Sequence, residues 1–202
     1  MAPTRVLLTG FEPFGASLRN PSQAVVERLQ IIGVDGIELH THVLPVEFGE
    51  SVRRLLELID ESTPDVVISL GQAEGRDRIT PERVAVNIAD ARMSDNGGYA
   101  PVDAAVVPHA PFAYSSTLPV KSIVEALVAE SIPAGLSMTA GTYVCNTVFY
   151  AMQHHLRESQ VRSGFIHIPL MDEQAAEFPE LPTMALDELV RGIAVAIEVA
   201  TR

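Results

Sequence analysis

Apolar residues recur along the chain in two patterns, one typical of strands and one typical of amphipathic helices. Residues 5–9, 65–70 and 164–169 are short apolar runs that predict buried strands, and residues 37–44 alternate as a strand does. Five further segments carry apolar residues at helical spacing: those that begin near Pro21, Phe48, Val120 and Cys145, and residues 184–200. Strands that alternate with helices predict a single α/β domain.

Two loops that follow predicted strands are candidates for a binding site. The first, GFEPFG at residues 10–15, contains Phe11 and Phe14, which either cap the core or wall an apolar pocket at the carboxyl end of the first strand. Residues 71–98 form the second, a long segment rich in glycine and charge, and such loops often carry function. It has neither glycine pattern of a phosphate-binding loop, which argues against nucleotide binding. Between the two loops, Asn20 is predicted to be the N-cap of a helix.

Two segments in the middle of the chain have weaker patterns. Residues 83–88 predict a further strand, which places Glu82 just before it. From its position alone, Glu82 is expected to be an exposed carboxylate. Residues 101–119 contain four prolines and little periodicity, so we expect a surface excursion that could take part in a subunit contact.

Composition excludes several classes of function. The net charge of −12 over 202 residues argues against nucleic acid or an anionic membrane as a partner, because both need a basic face. A single cysteine excludes disulfides and cysteine-rich zinc sites. His40 and His42 share one face of a strand without a third ligand, so we expect no metal there. No apolar run is long enough to span a membrane, and we expect a cytoplasmic protein whose thiol stays reduced.

Cys145, the only cysteine, lies where a turn marked by Gly141 leads into a predicted helix. A lone cysteine is more often a small buried hydrophobe than a nucleophile. At a helix N-terminus, however, unpaired N–H groups and the helix dipole favour the thiolate, which is the form that attacks a carbonyl carbon. We therefore expect a thiolate at Cys145, which makes it a candidate nucleophile provided that a base lies within reach.

Among six histidines, His167 is the best candidate for that base. It is a polar residue near the carboxyl end of an otherwise apolar strand. The Cys145 turn is expected at the same edge of the sheet. His154 and His155 lie more than two helical turns beyond Cys145 and cannot easily reach back to the thiol. A buried histidine with a purely structural role stays open as the alternative.

Seven segments, in order along nearly the whole chain, resemble the pyrrolidone-carboxylate peptidases, also called pyroglutamyl peptidase I: LLTGFEPFG, NPS, PDVVISLGQA, ITPERVAVN, DARMSDN, TAGTYVCN and GFIHIP. These cysteine peptidases remove an N-terminal pyroglutamyl residue, and TAGTYVCN and TPERVAVN are the most specific of the motifs. The resemblance implies one three-layer α/β/α domain, residues 1–202, with a mixed, mainly parallel central sheet. It also implies a homo-oligomer, either a tetramer or a dimer, that needs no cofactor.

The resemblance further implies a Cys–His–Glu triad, with Cys145 as nucleophile, His167 as base and Glu82 as the acidic member. For Glu82 this reverses the expectation of an exposed carboxylate. Arg92 matches an arginine near the oxyanion site, where the backbone N–H of Cys145 would also act. The residues that the resemblance assigns to the substrate pocket are Phe11, Phe14, Asn20, Gln72, Met93, Tyr143 and Val144.

Pyroglutamate is a neutral lactam, so a site for it needs apolar walls and a few hydrogen-bond partners but no carboxylate to bind an ammonium group. N-terminally pyroglutamylated peptides are therefore the expected substrates. The chain departs from the family pattern at Glu74, where glycine is usual, and at Val46, where threonine is usual, which leaves the polarity of the pocket rim open. Two alternatives also stay open: a non-catalytic binding protein for a small lactam or amide, and a different thiol amidase on the same scaffold.

Overall fold

A mixed sheet of five strands lies at the centre of the structure, which is a computed structural model that describes residues 3–15 and 17–202. Along the chain, the elements are β1 (Thr4–Phe11), α1 (Pro21–Ile32), β2 (Ile37–Leu44), α2 (Phe48–Ser62), β3 (Val66–Gln72), β4 (Thr80–Pro81), β5 (Val84–Val86), β6 (Ala113–Ser115), α3 (Val120–Ala129), α4 (Val144–Leu156), β7 (Arg162–Ile168), β8 (Leu170–Met171), a 3₁₀ turn (Asp172–Gln174), β9 (Thr183–Met184) and α5 (Leu186–Ala200). The strand order in the central sheet is β2-β1-β3-β7-β4, and only β4 runs antiparallel to its neighbour. The prediction of a mixed, mainly parallel sheet is confirmed.

Helices cover both faces of this sheet and complete three α/β/α layers. On one face, α1, α3 and α5 pack against side chains such as Ile68 and Ile166. On the other face, α2 and α4 pack against Val67 and Phe165. Because successive strand residues point to opposite faces, His167 projects on the same side as Phe165, toward α4. Among the residues that the structure describes, no helix combines the length and the apolarity needed to span a bilayer.

The connection between β1 and α1 is held closely against the sheet. Asn20 is the N-cap of α1, as predicted, and its Oδ1 accepts a hydrogen bond from the Ser22 N–H at 2.9 Å. The Asn20 Nδ2 donates to the Glu12 carbonyl at 3.0 Å. A Cβ on Gly10 would lie 2.5 Å from the Ser22 carbonyl oxygen, so only glycine allows the first turn of α1 to approach β1 this closely.

The segment after β3 differs from the sequence-based expectation. The strand predicted over residues 83–88 is present as the shorter β5, which pairs with β6 in a separate two-stranded sheet, but before it the chain forms β4, which was not predicted and pairs with β7. Thr80 pairs with His167 and Pro81 with Ile166. This pairing brings Glu82 into the interior, where its side chain is 0 % exposed. The expectation that Glu82 would be an exposed carboxylate is therefore wrong, because β4 pairs at the sheet edge next to the end of β7.

Residues 101–119 lie at the surface, as predicted, and among them only Pro101 and Leu118 are buried. The segment contributes β6, and it is anchored on α4 by two tyrosines. The Tyr114 hydroxyl lies 2.9 Å from Nδ1 of His154, and the Tyr150 hydroxyl donates to the Pro111 carbonyl. The segment is therefore part of the layer that holds α4 in place.

Candidate active site

Cys145 is the second residue of α4. The first hydrogen bond of this helix runs from the Thr147 N–H to the Tyr143 carbonyl at 3.1 Å. The N–H groups of residues 144–146 precede that bond and so have no partner in the helical ladder. Such groups carry the positive end of the helix dipole and can stabilise a negative charge that develops beside Cys145.

Asn146 fixes the position of this helix start. Its side chain is fully buried, and its Oδ1 accepts a hydrogen bond from the Val86 N–H at 2.9 Å. Its Nδ2 donates to the carbonyls of Val86 and Ile88 at 2.9 Å each. The amide therefore ties β5 and the residues after it to α4 directly beside Cys145.

Gly71 provides the space in which the thiol lies. It is the register partner of His167 on the neighbouring strand. A Cβ on Gly71 would lie 2.9 Å from Sγ of Cys145 and 2.8 Å from the ring of Phe165. That ring in turn contacts the His167 imidazole, with centroids 4.9 Å apart. The structure thus brings the thiol and the imidazole to the same end of the sheet.

The imidazole of His167 is paired with the carboxylate of Glu82. Nδ1 of His167 lies 2.8 Å from Oε1 of Glu82, and the two side chains are 6 % and 0 % exposed. An ionised carboxylate can only accept hydrogen bonds, so Nδ1 carries the proton. In the neutral ring, Nε2 is then unprotonated and can accept a proton from another group.

A third side chain, that of Arg76, comes from the loop between β3 and β4 and also binds Glu82. Its Nη1 donates to Oε1 of Glu82 at 2.7 Å and to the hydroxyl of Thr80. Its Nη2 donates to the Thr139 carbonyl at 3.2 Å. Oε2 of Glu82 is buried and has no hydrogen-bond partner within residues 3–15 and 17–202. The Ser137 hydroxyl donates to the Thr139 carbonyl at 3.2 Å. It also lies near the Glu82 carboxylate and helps to lower its pKa.

Burial dominates the ionisation of the thiol and the imidazole. It raises the pKa of Cys145 to about 12, and the charge of Glu82 adds to this, while the backbone N–H of Cys145 and Arg76 oppose it. Burial also lowers the pKa of His167 below its ordinary value of 6.5, although the hydrogen bond from Glu82 opposes that change. Burial alone would raise the pKa of Glu82, but His167, the Ser137 hydroxyl and Arg76 together lower it.

The raised pKa of Cys145 disfavours the thiolate that its place at a helix start predicts. Burial of the half-buried Cys145 has a larger effect on the pKa of its thiol than the backbone N–H at the helix start, which acts in the opposite direction. These directions favour a neutral thiol and a neutral imidazole beside an ionised Glu82.

Several of the predicted pocket residues line a partly exposed wall beside the start of α4. Tyr143 directly precedes the helix, and its ring centroid lies 6.3 Å from that of Phe14. Its hydroxyl donates to the Ser94 carbonyl at 3.1 Å. Met93 is exposed, and its Cε would lie 3.3 Å from a Cβ on Gly15. The loop that carries Met93 therefore meets the loop that carries Phe14.

Phe11 and Val144 lie in the core instead of on this wall. They are only 2 % and 1 % exposed, and the ring of Phe11 lies 6.3 Å from that of Phe165. Of the two readings for the aromatic residues in GFEPFG, the core reading fits Phe11 and the pocket reading fits the half-buried Phe14.

The predicted polar pocket residues bind other parts of the chain. Asn20 caps α1 and is buried. Gln72 accepts a hydrogen bond from Gln174 at 3.1 Å and donates one to Glu74 at 3.2 Å, so the departure at Glu74 changes the surroundings of Gln72. Arg92 lies exposed on the loop after β5, and its place near an oxyanion stays a prediction.

The two histidines of α4 have hydrogen-bond partners away from Cys145. Nδ1 of His154 is bound to the Tyr114 hydroxyl, and Nε2 of His155 lies 3.0 Å from Asp60. Within the described ranges, no three His, Cys, Asp or Glu side chains come together in a way that could hold a metal ion.

Comparison with known proteins identifies the family of this chain. The family model described as pyroglutamyl peptidase matches residues 4–202. The chain belongs to the pyroglutamyl peptidase family. A pyrrolidone-carboxylate peptidase of Vibrio campbellii is 50% identical over 190 residues, which cover 94% of this chain and 89% of the relative. One from Bacillus mycoides is 47% identical over 198 residues, covering 97% and 92%.

Solved structures of the pyroglutamyl peptidase family have the same fold. The crystal structure of pyroglutamyl peptidase I from Bacillus amyloliquefaciens superimposes with a TM-score of 0.95 at 40% identity, covering 98% of this chain and 95% of that one. The pyrrolidone carboxyl peptidase from Thermococcus litoralis gives a TM-score of 0.93 at 36% identity, covering 98% and 93%.

Three residues of this pyroglutamyl peptidase site were not found from the sequence. Gly71 and Arg76 lie in a segment rich in glycine and charge, where neither stands out from its neighbours. Asn146 did carry a signal, because an amide in the first turn of an otherwise apolar helix is unfavourable unless it binds backbone groups. Its hydrogen bonds to β5 account for it.

Proposed function

We propose that this chain removes the N-terminal pyroglutamyl residue from peptides through a thioester on Cys145. The observation that carries the proposal is the buried His167–Glu82 pair at the strand end where Gly71 makes room for the thiol. Membership of the pyroglutamyl peptidase family supports the same reaction. A non-catalytic binding protein is not favoured, because a ligand pocket alone has no need of such a pair beside a thiol.

Acylation begins when Nε2 of His167 takes the thiol proton as the sulfur attacks the scissile carbonyl carbon. Glu82 keeps the Nδ1 proton in place and stabilises the imidazolium that forms. The carbonyl electron pair moves onto oxygen, where the N–H of Cys145 donates to it, and one such donor is worth about 3 kcal/mol. Arg92 is the proposed second donor, as the family resemblance implies.

The tetrahedral intermediate then collapses and the C–N bond breaks. His167 returns its proton to the departing amine, which leaves the pyroglutamyl group on Cys145 as a thioester. A water molecule gives a proton to His167 and attacks the thioester carbonyl carbon. Collapse of this second intermediate breaks the C–S bond, the sulfur takes the proton back from His167, and pyroglutamate leaves with Cys145 restored as a thiol.

Selectivity for pyroglutamate follows from the chemistry of its ring. The lactam is neutral and carries one N–H and one C=O, so the apolar wall of Phe14, Tyr143 and Met93 suits its methylene edge. A group that hydrogen-bonds the lactam carbonyl would be left unpaired by proline, which has the ring without that carbonyl. Discrimination of this kind can reach about 10⁴.

We further propose that the protein is a cytoplasmic homo-oligomer, either a dimer or a tetramer. A reducing compartment would keep the single cysteine as a thiol. The net charge of −12 does not suit nucleic acid or an anionic membrane. Sedimentation velocity at micromolar concentration tests the assembly, and a monomer at all concentrations would contradict it.

The test of the activity is release of a fluorogenic amine from a pyroglutamyl amide, compared with the matching prolyl amide. We expect the reduced wild-type protein to cleave only the first. Cleavage of both would indicate a broader thiol amidase. Absence of cleavage by folded, reduced protein would contradict the proposed function.

A further inference from the structure

Arg76 has no step in the reaction above, yet it binds the same carboxylate oxygen as His167. We propose that Arg76 is a positioning residue that acts through Glu82: it fixes the carboxylate and balances its negative charge beside His167. The inference rests on the proposed function, since it concerns the base of that reaction.

The contacts around Glu82 give the first argument. Oε1 of Glu82 accepts from Nη1 of Arg76 at 2.7 Å and lies 2.8 Å from Nδ1 of His167. The carboxylate is 0 % exposed, and the Arg76 side chain is 27 % exposed. Without the guanidinium, the buried carboxylate would have only uncharged partners, the imidazole and the nearby Ser137 hydroxyl, which is a costly arrangement.

The other contacts of Arg76 give the second argument. Its Nη1 also donates to the hydroxyl of Thr80, and that hydroxyl donates to the carbonyl of His167 at 3.2 Å. Its Nη2 donates to the carbonyl of Thr139, in the turn that leads to Cys145. The planar guanidinium thus connects the strand that pairs with His167 to the turn before the nucleophile, and a lysine could not reproduce this fork.

Electrostatics gives the third argument. The charged and titratable groups around His167 are Glu82, Arg76 and Cys145. An unbalanced carboxylate would hold His167 as an imidazolium, which cannot accept the thiol proton. The charge of Arg76 lowers the pKa of both His167 and Glu82. Removing that charge should raise the pKa of His167, so activity should be lost at a higher pH on the acid side.

The experiment compares pH profiles of kcat/KM for a pyroglutamyl amide in Arg76→Gln, Arg76→Lys and the control Arg78→Gln. Arg78 lies two residues away, is exposed and pairs with Asp77 at 2.7 Å, so the control removes the same charge from the same loop. We expect Arg76→Gln to lose about tenfold or more, part of the ~10²–10⁴ that a general base contributes. Its acid limb should move up by about one pH unit.

Arg76→Lys keeps the charge and loses the fork, so it should lose activity while its acid limb stays near that of the wild type. Arg78→Gln should match the wild type in kcat/KM and in the position of the acid limb. An Arg76→Gln variant that loses activity with an unmoved acid limb would indicate a structural role only and would overturn the proposal.

A double-mutant cycle decides the matter even where Arg76→Gln does not fold alone. In a Glu82→Gln background the carboxylate that needs Arg76 is gone, and only the contacts of Arg76 with Thr80 and Thr139 remain to be lost. Adding Arg76→Gln should therefore lower kcat/KM by less than about threefold. A further loss as large as that of Arg76→Gln in the wild type, or tenfold where the single variant does not fold, would overturn the proposal. Inactive wild-type protein would instead count against the proposed function, which keeps the two failures distinct.

Discussion

Gly71 is the residue on which the approach of the thiol to the strand end depends. A Cβ there would lie 2.9 Å from Sγ of Cys145 and 2.8 Å from the ring of Phe165. Gly71→Ala must therefore displace one of them. We expect it to destabilise the protein by about 1–3 kcal/mol, as overpacking typically does. We also expect kcat/KM to fall by about 10²-fold, because a shift of roughly 1 Å at a reacting group costs that much.

Urea unfolding and steady-state kinetics of Gly71→Ala check this prediction. Gly49→Ala is the matched control, since it lies in the first turn of α2 and no atom outside its own helix turn lies within 4 Å of the added Cβ. It should keep both stability and activity. Wild-type activity in Gly71→Ala would show that the thiol does not lie where the structure has it.

The raised pKa of Cys145 and the lowered pKa of His167 set the expected dependence of activity on pH. The pKa of His167 lies below 6.5, so the acid limb of kcat/KM should fall below pH 6.5. The pKa of Cys145 is raised from 9.0 to about 12, so activity should persist beyond pH 9. Alkylation by iodoacetamide should accordingly be slow at pH 7 and rise above pH 9. Fast alkylation that is independent of pH between about 5 and 7 would instead indicate a thiolate–imidazolium pair.

At the residue scale, a functional side chain can be recognised from the sequence when its residue type is unusual for its position. Cys145 lies at a helix start and His167 within an apolar strand. Both residue types are unusual at such positions, so both can be picked out from the sequence. Glu82 and Arg76 cannot, because a carboxylate and a guanidinium in a charged loop are ordinary. Their roles depend on a pairing between β4 and β7 that spans 85 residues of sequence.

At the scale of elements, the junction between β5 and α4 depends on one amide. Asn146→Asp replaces the Nδ2 donor with a charged acceptor that faces the carbonyls of Val86 and Ile88. We expect a loss of roughly 2–4 kcal/mol in the free energy of unfolding, from the lost hydrogen bonds and the buried charge. Activity should fall with it, since Cys145 is adjacent.

Chemical denaturation of Asn146→Asp beside Gln30→Glu checks this. Gln30 is exposed on α1, so its change from amide to acid should stay within about 0.5 kcal/mol of the wild type. Equal stability of the two variants would mean that the amide does not tie β5 to α4.

The same elements show what periodicity can and cannot predict. The strands β1, β2, β3 and β7 and the helices α1 to α5 have apolar patterns long enough to be read from the sequence. The strands β4, β6, β8 and β9 contain two or three residues each and do not complete a pattern of alternation. β4 even includes Pro81, which usually argues against a strand, and it forms because the edge of β7 is available.

At the scale of the whole molecule, charge should influence which peptides arrive fastest. The chain carries a net charge of −12, so its field attracts cationic substrates and repels anionic ones. We compare pyroglutamyl peptides that carry lysine after the pyroglutamyl residue with analogues that carry glutamate there. At low salt we expect the lysine peptides to have a several-fold higher kcat/KM, because the field of the protein speeds their association. The ratio should approach one as salt rises to about 0.5 M. A ratio that does not change with salt would contradict this.

The most direct test of covalent catalysis is kcat/KM of Cys145→Ala on a pyroglutamyl amide, with circular dichroism to verify the fold. Loss of the nucleophile should leave at most about 10⁻⁴ of wild-type activity. His167→Ala should fall nearly as far, and Glu82→Gln less, because it retains the base. A folded Cys145→Ala protein that kept more than about one hundredth of the wild-type kcat/KM would contradict a thioester at Cys145.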